Sequence, residues 1–235
     1  MLSNLLRNIP PITLNLIIIN ALLFFGIQVF PQFSQMLSLH YFESPFFKPH
    51  QVVSHMFMHA NFTHLFFNMF ALGMFGAQLE KELRAKRFLI VYFAAGVGAF
   101  LLHYLAIWYQ LMDVSPEVME FLKTEGAQSL LNNQNYIDPV LAGNNLSLNT
   151  PMVGASGAIM GLLAAFAYVF PNVEIYLYFA IPIKAKFLMP IVILFELYLG
   201  TQNFQMDNVA HWAHIGGAIT GLIFVYFWSK KRGGI

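Results

Sequence analysis

The chain has 235 residues, of which 58% are hydrophobic and only 10% are charged. Soluble domains carry about 25% charged residues, so this composition predicts a membrane protein. A net charge of +1 offers no field that would attract nucleic acid, and the absence of cysteine excludes disulfide and thiol chemistry. No internal repeat is visible, and residues 1–235 are expected to form a single membrane domain.

Six apolar segments are predicted to cross the bilayer, because a spanning helix needs about 20 apolar residues. They cover approximately residues 12–30, 62–79, 88–109, 152–170, 187–199 and 209–228. The first is expected to be retained, since its apolar run is long for a signal peptide and lacks an A-x-A cleavage site. The fifth is short and contains Pro190, so taken alone it also fits an interfacial segment. The predicted fold class is an all-α polytopic membrane protein.

Lysine and arginine are unevenly distributed between the segments that connect these spans. With six crossings, ten of the twelve fall on one side, and only Lys48 and Lys123 fall on the other. Because positive charge favours the cytoplasmic side, both termini are predicted to be cytoplasmic. The same distribution supports the fifth span. If the fifth segment did not cross the membrane, the basic C-terminal cluster would lie on the outer side.

Two segments are predicted to lie on the opposite, outer side. Residues 31–60 are rich in aromatic residues and histidine, which suits a structured piece in the membrane interface. Residues 110–151 are polar and rich in asparagine, and they are expected to be partly mobile.

Polar side chains within or beside the spans form three groups near the outer leaflet. Each is a candidate functional group, since a polar residue inside a membrane is costly unless it is paired. The groups are His55, His59, His64 and Asn68 in "HMFMHANFTHLFFN", Ser156 in "GASG", and His211 with His214 in "AHWAH". A serine, several histidines and an amide at one depth could form one site.

Each group also has a simpler explanation. Gly154, Gly157 and Gly161 lie on one helical face and predict a packing seam, from which Ser156 points away. The soluble nucleophile elbow does not fit, because Ala158 occupies the position of its last glycine.

Metal binding by the histidines is a further alternative. His55 and His59 are four apart, and His211 and His214 are three apart, both of which are helical ligand spacings. No H-E-x-x-H is present, and neither a metal nor another cofactor is expected. Glu196, in the fifth span, is interpreted as either a snorkelling or a paired carboxylate.

The sequence resembles the rhomboid family of intramembrane serine proteases over roughly residues 45–228, because the three groups occur in the same order and on the corresponding spans. The matching pieces are His59 with the following "ANFTHLFFN", Gly154-Ala155-Ser156-Gly157, and Ala213-His214-Ile215-Gly216-Gly217. The resemblance implies that Ser156 is the nucleophile and His214 the general base.

The resemblance also assigns supporting roles. His64 and Asn68 match the side chains that help to stabilise the oxyanion, and Gly217 with Gly221 matches the seam between the sixth and fourth spans. His59, His211, Gly154 and Gly157 are expected to be structural positions near the site. Many members carry an aromatic residue one turn after the serine, where this chain has Met160, so Trp212 or softer contacts are expected to orient His214.

The implied function is hydrolysis of peptide bonds in or near transmembrane segments by a Ser-His dyad. The expected partners are transmembrane protein substrates and the lipid bilayer, without nucleic acid or metal. The expected location is a bacterial inner membrane, with the site open to the outer face and the fifth span and loop 200–208 as a movable wall and cap. A catalytically silent rhomboid-like binder or chaperone, and a transporter with a histidine proton relay, are the alternatives. The intact Ser156 and His214 weaken the first, and the missing inverted repeat weakens the second.

Overall fold

The fold is described from a computed structural model, which describes residues 9–177, 180–202 and 210–230. Several features singled out in the sequence lie outside these residues. They are most of the proposed cap at 200–208, residue 209 of the predicted sixth span, and Arg7, Lys231 and Arg232, which are three of the ten basic residues assigned to the cytoplasmic side.

The described residues form eleven α-helices. These are α1 (Pro11–Val29), α2 (Gln32–Leu37), α3 (Gln51–Ser54), α4 (Phe62–Ala71), α5 (Ala77–Leu111), α6 (Pro116–Phe121), α7 (Ala127–Leu131), α8 (Pro139–Asn149), α9 (Ser156–Val169), α10 (Ala185–Gln202) and α11 (His211–Lys230). A 3-10 turn, His55–Phe57, follows α3, and π-helical turns at Leu72–Gly76 and Leu122–Gly126 join α4 to α5 and α6 to α7.

Four of the helical segments are long and apolar enough to cross a membrane, judged by length and composition. They are Pro11–Val29, Phe62–Leu111, Ala185–Gln202 and His211–Ser229, whereas Ser156–Val169 is apolar but shorter. The predicted spans 62–79 and 88–109 therefore fall in one helical run of 50 residues.

That run is folded back on itself at Arg84, whose backbone is non-helical (φ 65°, ψ 159°). A Cβ atom placed on Gly76 would lie 3.4 Å from the ring of Phe88. In a straight helix these residues would be about 18 Å apart along the axis, so the two arms must pack side by side.

The prediction of an all-α fold is wrong in one detail, because a short β-hairpin precedes α10. Strand β1 (Glu174–Leu177) pairs antiparallel with β2 (Ile181–Lys184), with Ile175 opposite Ile183. Both strands are rich in β-branched and aromatic residues and are far too short to span a bilayer, so pairing satisfies their backbone groups. The fold is mostly helical.

Residues 110–151, expected to be partly mobile, contain helices α6, α7 and α8. Two asparagines of α8 have buried side-chain amides that bond backbone carbonyls. Asn145 Nδ2 donates to the Gly126 carbonyl at 3.1 Å, and Asn149 Nδ2 donates to the Leu122 carbonyl at 2.9 Å. An asparagine-rich composition predicts mobility only where the amides face water, and here they satisfy buried carbonyls instead.

Helix α9 lies at the centre of the bundle, packed against α5 and α11 through small residues. A Cβ atom on Gly157 or Gly161 would lie 2.4 Å or 2.2 Å from the Cβ of Ala99 or Ala95, on α5. Inside a membrane no hydrophobic effect drives helices together, so they associate through close backbone packing of this kind. A Cβ atom on Gly217 or Gly221 of α11 would likewise meet the carbonyl oxygen of Gly157 or Gly161, so the predicted seam is present at these four glycines and holds α9 beside α11. Gly154, which was expected to share the helical face of this seam, lies before α9 and faces His64 instead.

Candidate active site

The side chains of Ser156 and His214 meet at the first turns of α9 and α11. His214 Nε2 lies 3.0 Å from Ser156 Oγ, within hydrogen-bond distance. Both residues are partly buried. A serine hydroxyl beside an imidazole nitrogen is the arrangement in which the imidazole can accept the hydroxyl proton.

The chain enters α9 through a segment that is fixed by backbone hydrogen bonds to residues far earlier in the sequence. Leu39 and Met152 exchange backbone hydrogen bonds of 3.0 Å and 2.8 Å, and the Gly154 N–H donates to the His55 carbonyl at 2.9 Å. Gly154 has φ +121°, a conformation that favours glycine. These contacts fix where Ser156 begins its helix.

His64 and Asn68 lie on α4, which contacts α9. Asn61 caps the start of this helix, since its side chain accepts a hydrogen bond from the His64 N–H at 2.8 Å. A Cβ atom on Gly154 would lie 2.9 Å from His64 Nε2 and 3.6 Å from Ser156 Oγ, so the His64 ring lies beside the serine. The sequence predicted this juxtaposition across 92 residues of chain.

Asn68 is buried, and its amide nitrogen has no hydrogen-bond partner among the residues that the structure describes. A buried donor without a partner is costly, which makes it a candidate for a group that binds a substrate oxygen.

His59 and His211, expected near the site as structural residues, are both there. The ring of His59 lies 5.1 Å from that of His64 in an edge-on arrangement, and burial lowers the pKa of His59 to about 4. His211 lies one turn before His214, with ring centroids 6.4 Å apart.

Glu196, which was not assigned to the site in the sequence analysis, contacts both histidines of α11. Its Oε1 lies 2.9 Å from His214 Nδ1, and its Oε2 lies 2.5 Å from His211 Nδ1. Of the two sequence interpretations of this residue, the paired carboxylate is the one observed. The signal available in the sequence was a lone carboxylate in the apolar segment 185–202, but nothing in it identified a partner 18 residues away on another helix.

A carboxylate therefore holds His214, in the role that the sequence left to Trp212 or softer contacts. Trp212 instead lies against α10, since a Cβ atom on Gly200 would be 3.3 Å from its ring. Met160 packs against the hydrophobic core.

Glu196, His211 and His214 also form a group that could hold a metal ion, with one ligand atom from each within 4.8 Å of the others. The observed distances of 2.5 Å and 2.9 Å between the carboxylate oxygens and the Nδ1 atoms are those of hydrogen bonds. Ligand atoms at the corners of a zinc tetrahedron are about 3.3 Å apart.

The rhomboid domain family matches residues 47–231 of this sequence. The chain belongs to the rhomboid family. The expected family is thus confirmed, over a range that includes every element of the site.

Three mitochondrial rhomboid proteins are similar to this chain. An uncharacterized rhomboid protein of Schizosaccharomyces pombe is 28% identical over 77% of this chain and 52% of its own length. Rhomboid protein 1 of Saccharomyces cerevisiae is 26% identical over 76% of this chain and 42% of its own length. RHOMBOID-like protein 12 of Arabidopsis thaliana is 27% identical over 95% of this chain and 59% of its own length.

This rhomboid spans about half the length of those relatives. Their names give no support to the bacterial inner membrane expected above. The comparisons and the apolar helices identify the chain as a membrane protein of this family.

Proposed function

We propose that this rhomboid is an intramembrane serine endopeptidase that cleaves transmembrane proteins in or near their spans. The observation that carries the proposal is the 3.0 Å contact between Ser156 Oγ and His214 Nε2 at the start of two packed helices. Family membership supports the same chemistry.

In the proposed reaction, Ser156 Oγ attacks the scissile carbonyl carbon while its proton passes to His214 Nε2. The tetrahedral intermediate collapses as the imidazolium returns this proton to the leaving amine, which leaves an acyl group on Ser156. Water then attacks the acyl group, giving its proton to His214, and the released serine recovers the proton.

The oxyanion of the intermediate needs hydrogen-bond donors at the place where its charge develops. Three kinds of donor are proposed for this purpose. They are the backbone N–H groups at the start of α9, an imidazole N–H of His64, and the buried amide of Asn68.

We further propose six crossings in one membrane domain, with both termini in the cytoplasm and the site open to the outer face. The folded run Phe62–Leu111 supplies two crossings, and α9 supplies one despite its length. Helices α4, α9 and α11 all begin at the candidate site, whereas the basic turn at Arg84 joins the two arms of the run Phe62–Leu111, at the end away from the start of α4. Because the chain has no cysteine, Gln134→Cys should react with an impermeant maleimide only from outside, and Lys86→Cys only from the cytoplasm.

The experiment that tests the function is active-site labelling. Purified protein in detergent is treated with a fluorophosphonate or an isocoumarin, which form covalent bonds with activated serines. The protein should be labelled at Ser156 and should cleave a fluorescent transmembrane substrate, and Ser156→Ala should lose both properties while remaining folded.

Ser147→Ala is the matched control, since the Ser147 hydroxyl bonds Gln110 at 2.9 Å instead of a histidine. It should retain labelling and cleavage. Normal turnover by folded Ser156→Ala would refute the assignment. A folded wild-type protein that is neither labelled nor active would favour the alternative function, a silent binder of membrane proteins.

A further inference from the structure

The Glu196 carboxylate in the apolar helix α10 contacts two histidines on α11, and each of its oxygens lies beside one ring. The side chains are largely buried, with exposed fractions of 14% for Glu196, 8% for His211 and 14% for His214. An unpaired carboxylate at such a position would be costly, so the two contacts account for its presence in a span.

We infer that Glu196 is a positioning residue that orients the base His214 and fixes its tautomer, so that the three residues act as a serine–histidine–glutamate triad. This inference rests on the proposed peptidase function. It extends that function because it makes α10 part of the machinery, together with α9 and α11.

The tautomer follows from what each group can donate. An ionised carboxylate only accepts hydrogen bonds, so the 2.9 Å contact requires a hydrogen on His214 Nδ1. A neutral imidazole with its hydrogen on Nδ1 has an acceptor lone pair on Nε2, the atom that lies 3.0 Å from Ser156 Oγ. Glu196 thereby leaves His214 able to receive the serine proton.

The same contact assists the step that creates charge. When His214 takes the proton from Ser156, the new imidazolium lies beside the Glu196 carboxylate in a largely buried site. Attraction between opposite charges is much stronger there than in water, so the charged intermediate is stabilised.

His211 completes the arrangement from the neighbouring turn. Its Nδ1 lies 2.5 Å from the second carboxylate oxygen, so both oxygens of Glu196 have a partner. This second contact opposes rotation of the carboxylate away from His214. Residues three apart share a helix face, which is why one carboxylate can reach both rings.

The packing of α10 against α11 is adapted to this contact. Gly200 lies one turn after Glu196, and a Cβ atom there would be 3.3 Å from the Cβ of His211 and 3.3 Å from the ring of Trp212. A larger residue at 200 would force these neighbours to move. The glycine therefore allows α10 to approach closely enough for the carboxylate to bond both histidines.

The test compares Glu196→Gln and Glu196→Asp in the full-length protein. Glutamine keeps the size of the side chain, but its amide can donate to Nδ1 and so favours the tautomer with hydrogen on Nε2. We expect kcat of Glu196→Gln to fall by roughly 10²- to 10⁴-fold with little change in KM, since the corresponding change in a serine protease triad costs about 10⁴-fold. Glu196→Asp keeps an acceptor and should recover part of the loss.

A measurement independent of turnover is the ¹⁵N NMR spectrum of the imidazoles, with the His214 signals assigned by their loss in His214→Ala. In the wild type the hydrogen should be on Nδ1, and in Glu196→Gln the population should shift toward Nε2. Glu80→Gln is the matched control. Glu80 is also a buried carboxylate, bonded to Thr13 and to the Ile12 N–H, and its loss should alter stability without altering the tautomer.

A wild-type His214 with its hydrogen on Nε2 would overturn the inference whether or not any variant folds. Full kcat in folded Glu196→Gln would do the same, as would loss of activity on chelation with recovery on adding zinc. A wild-type protein that shows the Nδ1 hydrogen but no cleavage would refute the proposed peptidase and leave the positioning contact supported.

Discussion

Gly217 of α11 lies directly on the backbone of Gly157 in α9, so closely that a Cβ atom at 217 would be 1.9 Å from the Gly157 carbonyl oxygen. Gly157 immediately follows Ser156, and Gly217 lies one turn after His214. The distance between the two reactive side chains is therefore set by direct contact between two helix backbones.

Gly217→Ala should abolish cleavage. The added methyl group cannot be accommodated by moving a flexible side chain, since what it meets is backbone, so α11 must move away from α9 and take His214 with it. We expect a loss of at least about 100-fold in kcat, because small misplacements of reacting groups have effects of that order. Turnover and thermal unfolding in detergent are the measurements.

Gly26→Ala is the control for this variant. Gly26 lies in α1, where a Cβ atom would have nothing within 4 Å. Its activity should match that of the wild type, and its unfolding temperature should be no lower, because alanine favours a helix more than glycine does. Wild-type turnover in Gly217→Ala would show that the seam does not determine the serine–histidine distance.

Ser156→Ala and His214→Ala should be about equally inactive, and the double variant no worse than either. The hydroxyl and the imidazole form a 3.0 Å pair and act as one unit, so removing the second member removes nothing further. Rates of the three variants on one substrate, measured with protein shown to be folded, test this. Losses that multiply in the double variant would mean that the two residues act independently.

Apart from Glu196, the residues that the structure brings together at the candidate site could be singled out from the sequence because each motif is local. The serine with its glycines, the capped start of α4 and the two histidines of α11 can all be recognised within a few positions. The same reasoning could not reach Glu196, whose partners lie on another helix and whose role depends on how closely α10 and α11 approach.

The fold was predictable to a similar extent. Apolar length and the basic residues between the second and third spans predicted a reversal there, but hydropathy does not report that the backbone of Arg84 is the point at which the chain turns. The hairpin at Glu174–Lys184 was missed because its strands are too short to stand out beside long apolar helices. The helices of 110–151 were missed because the segment is polar and rich in asparagine, which suggested exposure to water. That Asn145 and Asn149 are buried depends on tertiary packing.

His64→Ala and Asn68→Ala should each retain partial activity. Each removes one proposed oxyanion donor while the backbone donors at the start of α9 remain, and loss of one such donor costs about 10²- to 10³-fold in kcat. The fall should appear in kcat more than in KM, because the oxyanion exists only in the transition state and intermediate. Complete inactivity of a folded Asn68→Ala protein, equal to that of Ser156→Ala, would contradict this division of roles.

Acidification should destabilise the fold in part through His55. This residue is 1% exposed, its Nδ1 lies 2.8 Å from the Gln51 carbonyl, and burial lowers its pKa to about 4. The unfolded chain, with a pKa near 6.5, binds a proton between pH 6.5 and 4 that the folded protein does not bind, so stability falls as pH falls through this window. The loss attributable to His55 reaches about 3 kcal/mol at the acid end.

His55→Asn separates this effect from general acid sensitivity, since the asparagine amide can donate to the same carbonyl but does not titrate. Unfolding temperatures in detergent from pH 7 to pH 4 should fall less steeply for His55→Asn than for the wild type. Part of the slope should remain, because burial also lowers the pKa of His59 to about 4. His50→Asn, at an exposed histidine five residues earlier, should retain the wild-type slope. A slope unchanged in His55→Asn would mean that this imidazole is not buried in its neutral form.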